Sequence, residues 1–596
     1  MKKRLILSTL AIAGIATIAL ASCGKSGVDV YGADNSGKVM KMGNSEITFK
    51  EKSEIPYISV EDGVELMSYV RAINLDDKKY NYSFKKEGSN FVITNDRGAK
   101  CILNPENQTL YFDDYDLFVG MISSNQEALS MVTIKKNTKA LKITSQTYTK
   151  GQPVTIDLKK YSKLDIYVKD NKCYLPLSVF NCALLSASEN VDLAYNGKNL
   201  FFVSTDVLTT ETLLGKIPSD LGDKLREGAE KQSISQEFSE YYYQSLCFDF
   251  DYQYGLKDKF TSFDSFLQSN YKNEILSTNP KQIDAYTLYA LSYLNDGHTT
   301  LNDYSIMYPF GENDFDFSKC SKTKVDWEND DEAFSKKKKA ANIPNGLDYK
   351  GDTVFVTFAK FTSLNEDYLY PAKSDSSDSD DDIGIPGLDF GIFDDDSDKH
   401  ESTEYIFHSL YKDLTTDQTK KNQVKNIVVD LTANGGGAAD ALIYSLSTLI
   451  GNVTFDMTNP LSKGHNRQTY LADINADGQI NSEDKSLSEL GFNIYFLNSR
   501  YSFSSANAMP YLAKLNKPNT VMLGDKTAGG PCAVKYIVTP IGNAYVSSSL
   551  SVISKPKDGG YANIDDGIPA DFKLTEEQMI NRNYIVDYIN NWKLDN

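Results

Sequence analysis

Residues 427–437 read IVVDLTANGGG, and the fold is decided there. A short apolar run without polar alternation is a strand covered on both faces, which is how strands of a parallel sheet read. The three glycines after it let the chain turn sharply and bring backbone N–H groups together at the start of a helix. That helix is ALIYSLSTLIG at 441–451, and YIFHSLYKDL at 405–414 precedes the strand. Further along come NIYFLN at 493–498, ANAMPYLAKL at 506–515 and VMLG at 521–524. Helices alternating with buried strands from 403 onward predict an α/β layer with a parallel sheet.

Upstream the text changes character. Residues 206–300 are helical, and TVFVTF at 353–358 is a strand, so 206–372 is read as a helical region and the first part of the same domain. Between the two parts, 373–402 is an aspartate-rich insertion with little core material. Residues 51–205 are β-rich and carry an internal echo. PYISV at 56–60 leads through a helical run to a hairpin, and YLPLS at 174–178 does the same. This predicts a duplicated module, 51–125 and 126–205. It resembles the small stalk-type domain at the N-terminus of copper amine oxidases. No copper chemistry follows, because His298, His400, His408 and His465 all lie elsewhere.

The N-terminus carries an address. Lys2, Lys3 and Arg4 precede an apolar run to Leu20, the layout of an export signal. The ending LASCG at 20–24 resembles the bacterial lipobox, which implies cleavage before Cys23, lipidation of that cysteine and a place on the outer side of a cell membrane. Residues 1–22 are then the signal and 23–50 a tether. The chain of 596 residues carries 62 Lys and Arg against 81 Asp and Glu, a net −19 that becomes −22 without the three leader cations. Charge of that sign repels phosphate backbones, so nucleic acid is excluded as a partner. The six cysteines left after Cys23 permit three disulfides or a set of buried thiols.

Four local signals in the second half carry chemistry: LNDGHT at 294–299, DLTANGGG at 430–437, NSRYSFSSANA at 498–508 and GDKTAGG at 524–530. The glycine turn suits an anion or oxyanion but is neither a dinucleotide fingerprint nor a P-loop. A serine where a strand runs into a helix suits a nucleophile, and equally an N-cap. In this order, and with DDGIPAD at 565–571, the four resemble the tail-specific (C-terminal processing) serine peptidase superfamily over roughly 235–596. The resemblance implies an α/β domain of the ClpP/crotonase type and an enzyme acting on peptide bonds. Its lysine branch places a lysine in a turn where this chain has Gly529, Gly530 and Pro531. The DGHT motif fits the tricorn-core-like histidine branch instead.

Carried over residue by residue, the resemblance implies Ser504 as nucleophile and His298 as general base. It implies backbone N–H groups of Gly435, Gly436 and Ser505 as oxyanion donors, and Asp565 or Asp566 as the acid behind the base. Asn507 stands where an acid is common. No cofactor is implied for catalysis.

One further motif, DINADGQINSED at 473–484, places oxygen ligands at loop positions 1, 3, 5, 7, 9 and 12 around a glycine at position 6. Asp473, Asn475, Asp477, Gln479, Asn481 and Asp484 suit a structural calcium ion. The expected protein is thus a lipid-anchored extracytoplasmic serine endopeptidase with protein or peptide substrates. The alternative is a non-catalytic surface lipoprotein that binds peptides or glycans with the same fold.

Overall fold

The computed structural model describes residues 27–33, 39–74, 81–119, 138–189, 191–204, 224–225, 227, 233–305, 315–370 and 401–595. Cys23, the signal segment and the body of the acidic insertion lie outside them.

The parallel layer is present. A six-stranded sheet runs in the order Gly346–Lys350, Thr353–Thr357, Asn426–Asp430, Asn493–Asn498, Val521–Gly524, Phe572–Lys573. Its first pair is antiparallel and every later pair parallel. Side chains alternate between two cores, as the pleat requires. Val354, Val356, Ile427, Val429, Ile494 and Phe496 pack with helices Thr403–Thr416, Ala439–Ile450 and Ser505–Asn516. Phe355, Val428, Tyr495 and Leu497 face the opposite way, onto Ile585 and Ile589 of helix Arg582–Asp595. Burial on both faces accounts for the unbroken apolar runs, each such side chain contributing about 1.5–3 kcal/mol.

The second large sheet is antiparallel: Thr300–Asp303, Ala544–Lys557, Val453–Thr458, His465–Ala472 and Leu141–Thr149, with Cys532–Val538 and Gly560–Asn563 also paired to the long strand Ala544–Lys557. Leu141–Thr149 falls inside the expected second repeat, yet it pairs along its whole length with His465–Ala472.

Two N-terminal segments share an order of strand, helix and hairpin. Strand Tyr57–Ser59 leads into helix Val60–Asn74 and the hairpin Ser83–Glu87/Asn90–Thr94. Strand Lys172–Pro176 leads into helical turns over 177–189 and the hairpin Val191–Tyr195/Leu200–Ser204. The two opening strands pair antiparallel with each other, Leu175 opposite Ile58. The expected tether at 23–50 is a correction: Val28–Ala33, Val39–Ser45 and Ile47–Thr48 are strands. Val30 is fully buried, and Val28–Ala33 runs parallel to Leu200–Ser204. Val28–Ala33 lies between Leu200–Ser204 and Val39–Ser45, and the Asn44 side-chain amide donates to Asp29. The six cysteines described are free thiols, five of them buried.

Candidate active site

Ser504 stands one residue before helix Ser505–Asn516, at the C-terminal end of the strand Asn493–Asn498 and its following turn. Its backbone is held at φ 56° and ψ −118°, a left-handed conformation that costs a non-glycine residue about 1–3 kcal/mol. Neighbouring turns hold it there. The Ser504 amide donates to the Gly529 carbonyl at 2.9 Å, and the Phe503 amide donates to the Asn434 carbonyl at 3.1 Å. Gly436, at φ 101°, passes so close that a Cβ there would lie 2.5 Å from the Ser504 Cβ. The glycine turn and the serine turn are therefore one packed unit. The Ser504 side chain makes no N-cap hydrogen bond, so the simple capping explanation fails for it.

A cavity of about 1100 Å³ opens onto this unit, and Ser504, Ser505, Gly435 and His298 all line it. The structure thus brings together residues 206 positions apart in sequence. No hydrogen bond joins the Ser504 hydroxyl to the His298 ring among the described residues, and His298 Nδ1 is enclosed without a partner. Burial lowers the His298 pKa below the ordinary imidazole value, opposed by the nearby charges of Asp296 and Asp565.

Of the oxyanion donors, Gly436 is corrected: its amide donates to the Asn434 side-chain oxygen at 2.9 Å and is not available to a substrate. Gly435 faces open space, with nothing within 4 Å of where a Cβ would stand. Ser505 also lines the cavity, and its hydroxyl donates to the Gly437 carbonyl at 2.7 Å.

The two acid candidates separate. Asp565 accepts from the Gly530 amide at 3.1 Å, pairs with Lys259 at 3.7 Å and is near enough to act on the charge of His298. Asp566 is exposed. Asn507 is fully buried and stitches loops together, accepting from the Thr527 hydroxyl at 2.6 Å and donating to the Ile564 carbonyl.

Sequence reasoning missed Asp296. Its carboxylate accepts from the Tyr254 and Thr299 hydroxyls at 2.9 and 2.6 Å and from the His298 amide at 3.0 Å. It fixes the loop that carries the histidine. The D-G-H-T spelling was the available signal, since an aspartate two residues before an N–H it accepts is an Asx turn.

Loop 473–484 is closed by its own donors. Asp473 accepts from the Tyr370 hydroxyl and the amides of Asp477 and Gly478, and Asp484 from the amides of Ile474 and Asn481. Among the described residues no three His, Cys, Asp or Glu side chains are gathered to hold a metal. The donor set is oxygen-only and Gly478 supplies the sharp turn at φ 88°, which is the chemistry calcium takes.

The site is thus a strained serine at a strand-to-helix turn, set between glycine turns, in a cavity that His298 also lines. Residues 400–573 match the family model for Peptidase family S41. His298 lies outside the matched span and enters the site only through the fold. None of the curated proteins matches the chain. Among solved structures, a lipoprotein from Streptococcus agalactiae aligns at 15% identity over 57% of this chain and 93% of its own, with a TM-score of 0.32. A candidate peptidase from Parabacteroides merdae aligns at 16% identity over 60% and 96%, with a TM-score of 0.38. A photosystem II D1 C-terminal processing protease aligns at 17% identity over 38% and 42%, with a TM-score of 0.23. No helix among the described residues is long and apolar enough to cross a membrane.

Proposed function

We propose that the chain is a serine endopeptidase that cleaves protein or peptide substrates with Ser504 and His298. The observation that carries this reading is the strained Ser504, which no cap hydrogen bond explains, in the cavity that His298 also lines. A serine hydroxyl is a weak nucleophile at neutral pH and needs a base. In the proposed cycle His298 takes the Ser504 proton as Oγ attacks the scissile carbonyl carbon. The oxygen that gains charge meets the amides of Gly435 and Ser505, donors of a kind worth about 10²–10³-fold in rate. His298 then gives the proton to the departing amine, and water releases the acyl group by the same route reversed. Asp565 is the acid that favours the protonated ring.

The second reading is a non-catalytic lipoprotein that binds peptides in the cleft. It is favoured by the unpartnered Nδ1 of His298, since a working triad fixes the tautomer through that atom. A casein-type substrate separates the two: the enzyme degrades it, with Ser504→Ala inert, whereas the binder leaves it intact.

The proposal extends to place and metal. Lipid at Cys23 holds the protein on the outer face of the membrane, so Cys23→Ser should release it to the aqueous phase in detergent partition. Asp473, Asn475, Asp477, Gln479, Asn481 and Asp484 of loop 473–484 would hold a calcium ion, which would supply charge neutralisation and no chemistry to the reaction.

A further inference from the structure

Helix Lys322–Ala340 is the least core-like long helix described: of its nineteen residues only Phe334 and Lys338 are buried. Yet it touches three of the site motifs. The Lys324 ammonium donates to the Thr299 carbonyl, next to His298, at 3.1 Å. The Trp327 indole N–H donates to the Arg500 carbonyl at 3.0 Å, in the turn that leads to Ser504. Asp330 pairs with the Arg500 guanidinium at 3.2 Å. At its far end Lys338 reaches Asp430 and Thr432, below the glycine turn, at 3.1 and 2.9 Å.

The contact that bears on the base runs through Phe503. Its ring centroid lies 4.6 Å from that of the His298 ring, tilted, and 6.2 Å from that of Trp327, edge-on. It is seated between two glycines, where a Cβ on Gly297 or Gly530 would come within 2.6 or 2.5 Å of it. Phe503, 9% exposed, is thereby packed against glycine backbone, Trp327 and the His298 ring.

We propose that Trp327 is a positioning residue, which by packing on Phe503 holds that ring over His298 and so sets the orientation and solvation of the base. The inference rests on His298 being the base, and it adds a residue from an element outside the matched family span. An aromatic cover keeps water from the imidazole, and removal of water disfavours its charged form. The direction found for His298 agrees. The charged and titratable groups around it are Asp296 on its own loop, with Tyr254 bonded to it, and Asp565 paired to Lys259. Lys324 on the helix and Cys532 on the neighbouring strand also act on Asp296. Trp327 adds no charge to this set, and Trp327→Phe, which lacks the indole N–H bonded to the Arg500 carbonyl but keeps a ring, separates ring cover from that bond.

The test is the titration of His298 by NMR in the full-length protein with isotope-labelled histidine, alongside peptide hydrolysis. For Trp327→Ala, Phe503 gains freedom, water reaches the ring and the His298 midpoint moves up toward the ordinary imidazole value. In hydrolysis kcat falls about 10- to 100-fold, the scale of a small misplacement of a reacting group, with KM little changed. Trp327→Phe restores both. Phe503→Leu, which keeps apolar bulk, should reproduce the upward shift if the alanine variant is poorly folded. An unmoved midpoint in both Trp327→Ala and Phe503→Leu overturns the proposal. A wild type without hydrolysis but with a midpoint that moves in the variants sustains the contact and overturns the serine peptidase reading instead.

Discussion

Ser504 holds a positive φ through the loops packed on it, and that strain is readable as stability. Replacing it by glycine, which adopts the same conformation freely, should raise the unfolding free energy by about 1 kcal/mol while abolishing hydrolysis. Ser504→Ala should lose about 10⁴-fold or more in kcat with little change in the thermal transition, measured by calorimetry beside a peptide assay. For His298 the sign follows from burial. A base works when neutral, so activity rises with pH through its pKa. Because burial lowers that pKa, the acid limb of kcat/KM should lie below the ordinary imidazole value of about 6.5, and an acid limb above it would count against His298. At this scale the sequence reached far. The turns that carry Ser504, His298 and Asp565 were legible as motifs, because short turns impose residue types locally. Gly436 was misread, since only coordinates show its amide spent on Asn434, and Trp327 was missed because a lone tryptophan in a charged stretch has no local signature.

Among the elements, strand Asn426–Asp430 is the one on which others depend. Asp430, fully buried, accepts from Lys338 at 3.1 Å and Arg582 at 2.8 Å, and the two cations hold its carboxyl well below the usual range. Asp430→Ala leaves two buried cations without their counter-charge and should cost about 3–5 kcal/mol by denaturant unfolding. A depressed carboxylate pKa contributes stability that is present above its unfolded value of about 3.9 and lost as pH falls below it, so the wild type should lose this increment in acid while the alanine variant has none to lose. Loop 473–484 belongs to the same scale: chelator should lower the unfolding temperature and added calcium restore it, with Asp473→Ala insensitive to both. The parallel strands were legible because burial on both faces leaves an unbroken apolar run. Helix Lys322–Ala340 was not, since KTKVDWENDDEAFSKKKKA offers almost no apolar stripe and its few anchors act through single side chains.

Over the whole molecule the N-terminal module is built into the α/β part. Leu141–Thr149 zips onto His465–Ala472, Asp116 accepts from Asn459 and Ser462, and Asp192 accepts from the Val538 amide. One apolar core joins residues of the module with helix Gln236–Gln253 and strand Ala544–Lys557. Repeat boundaries drawn from sequence hid this, because an amphipathic strand reads the same whichever sheet it joins. A chain cut to 206–596 should therefore lack a cooperative transition and aggregate through the bared edge at 465–472, whereas independent folding of that piece would contradict the shared core.

The central claim is that Ser504 is a nucleophile made reactive by His298, and one measurement bears on it most directly: covalent labelling of the full-length protein by a serine-reactive phosphonate, mapped by peptide mass spectrometry. The account predicts a single adduct on Ser504, absent in Ser504→Ala and strongly slowed in His298→Ala. An unlabelled wild type, or an adduct on Ser505 with Ser504 untouched, would contradict it.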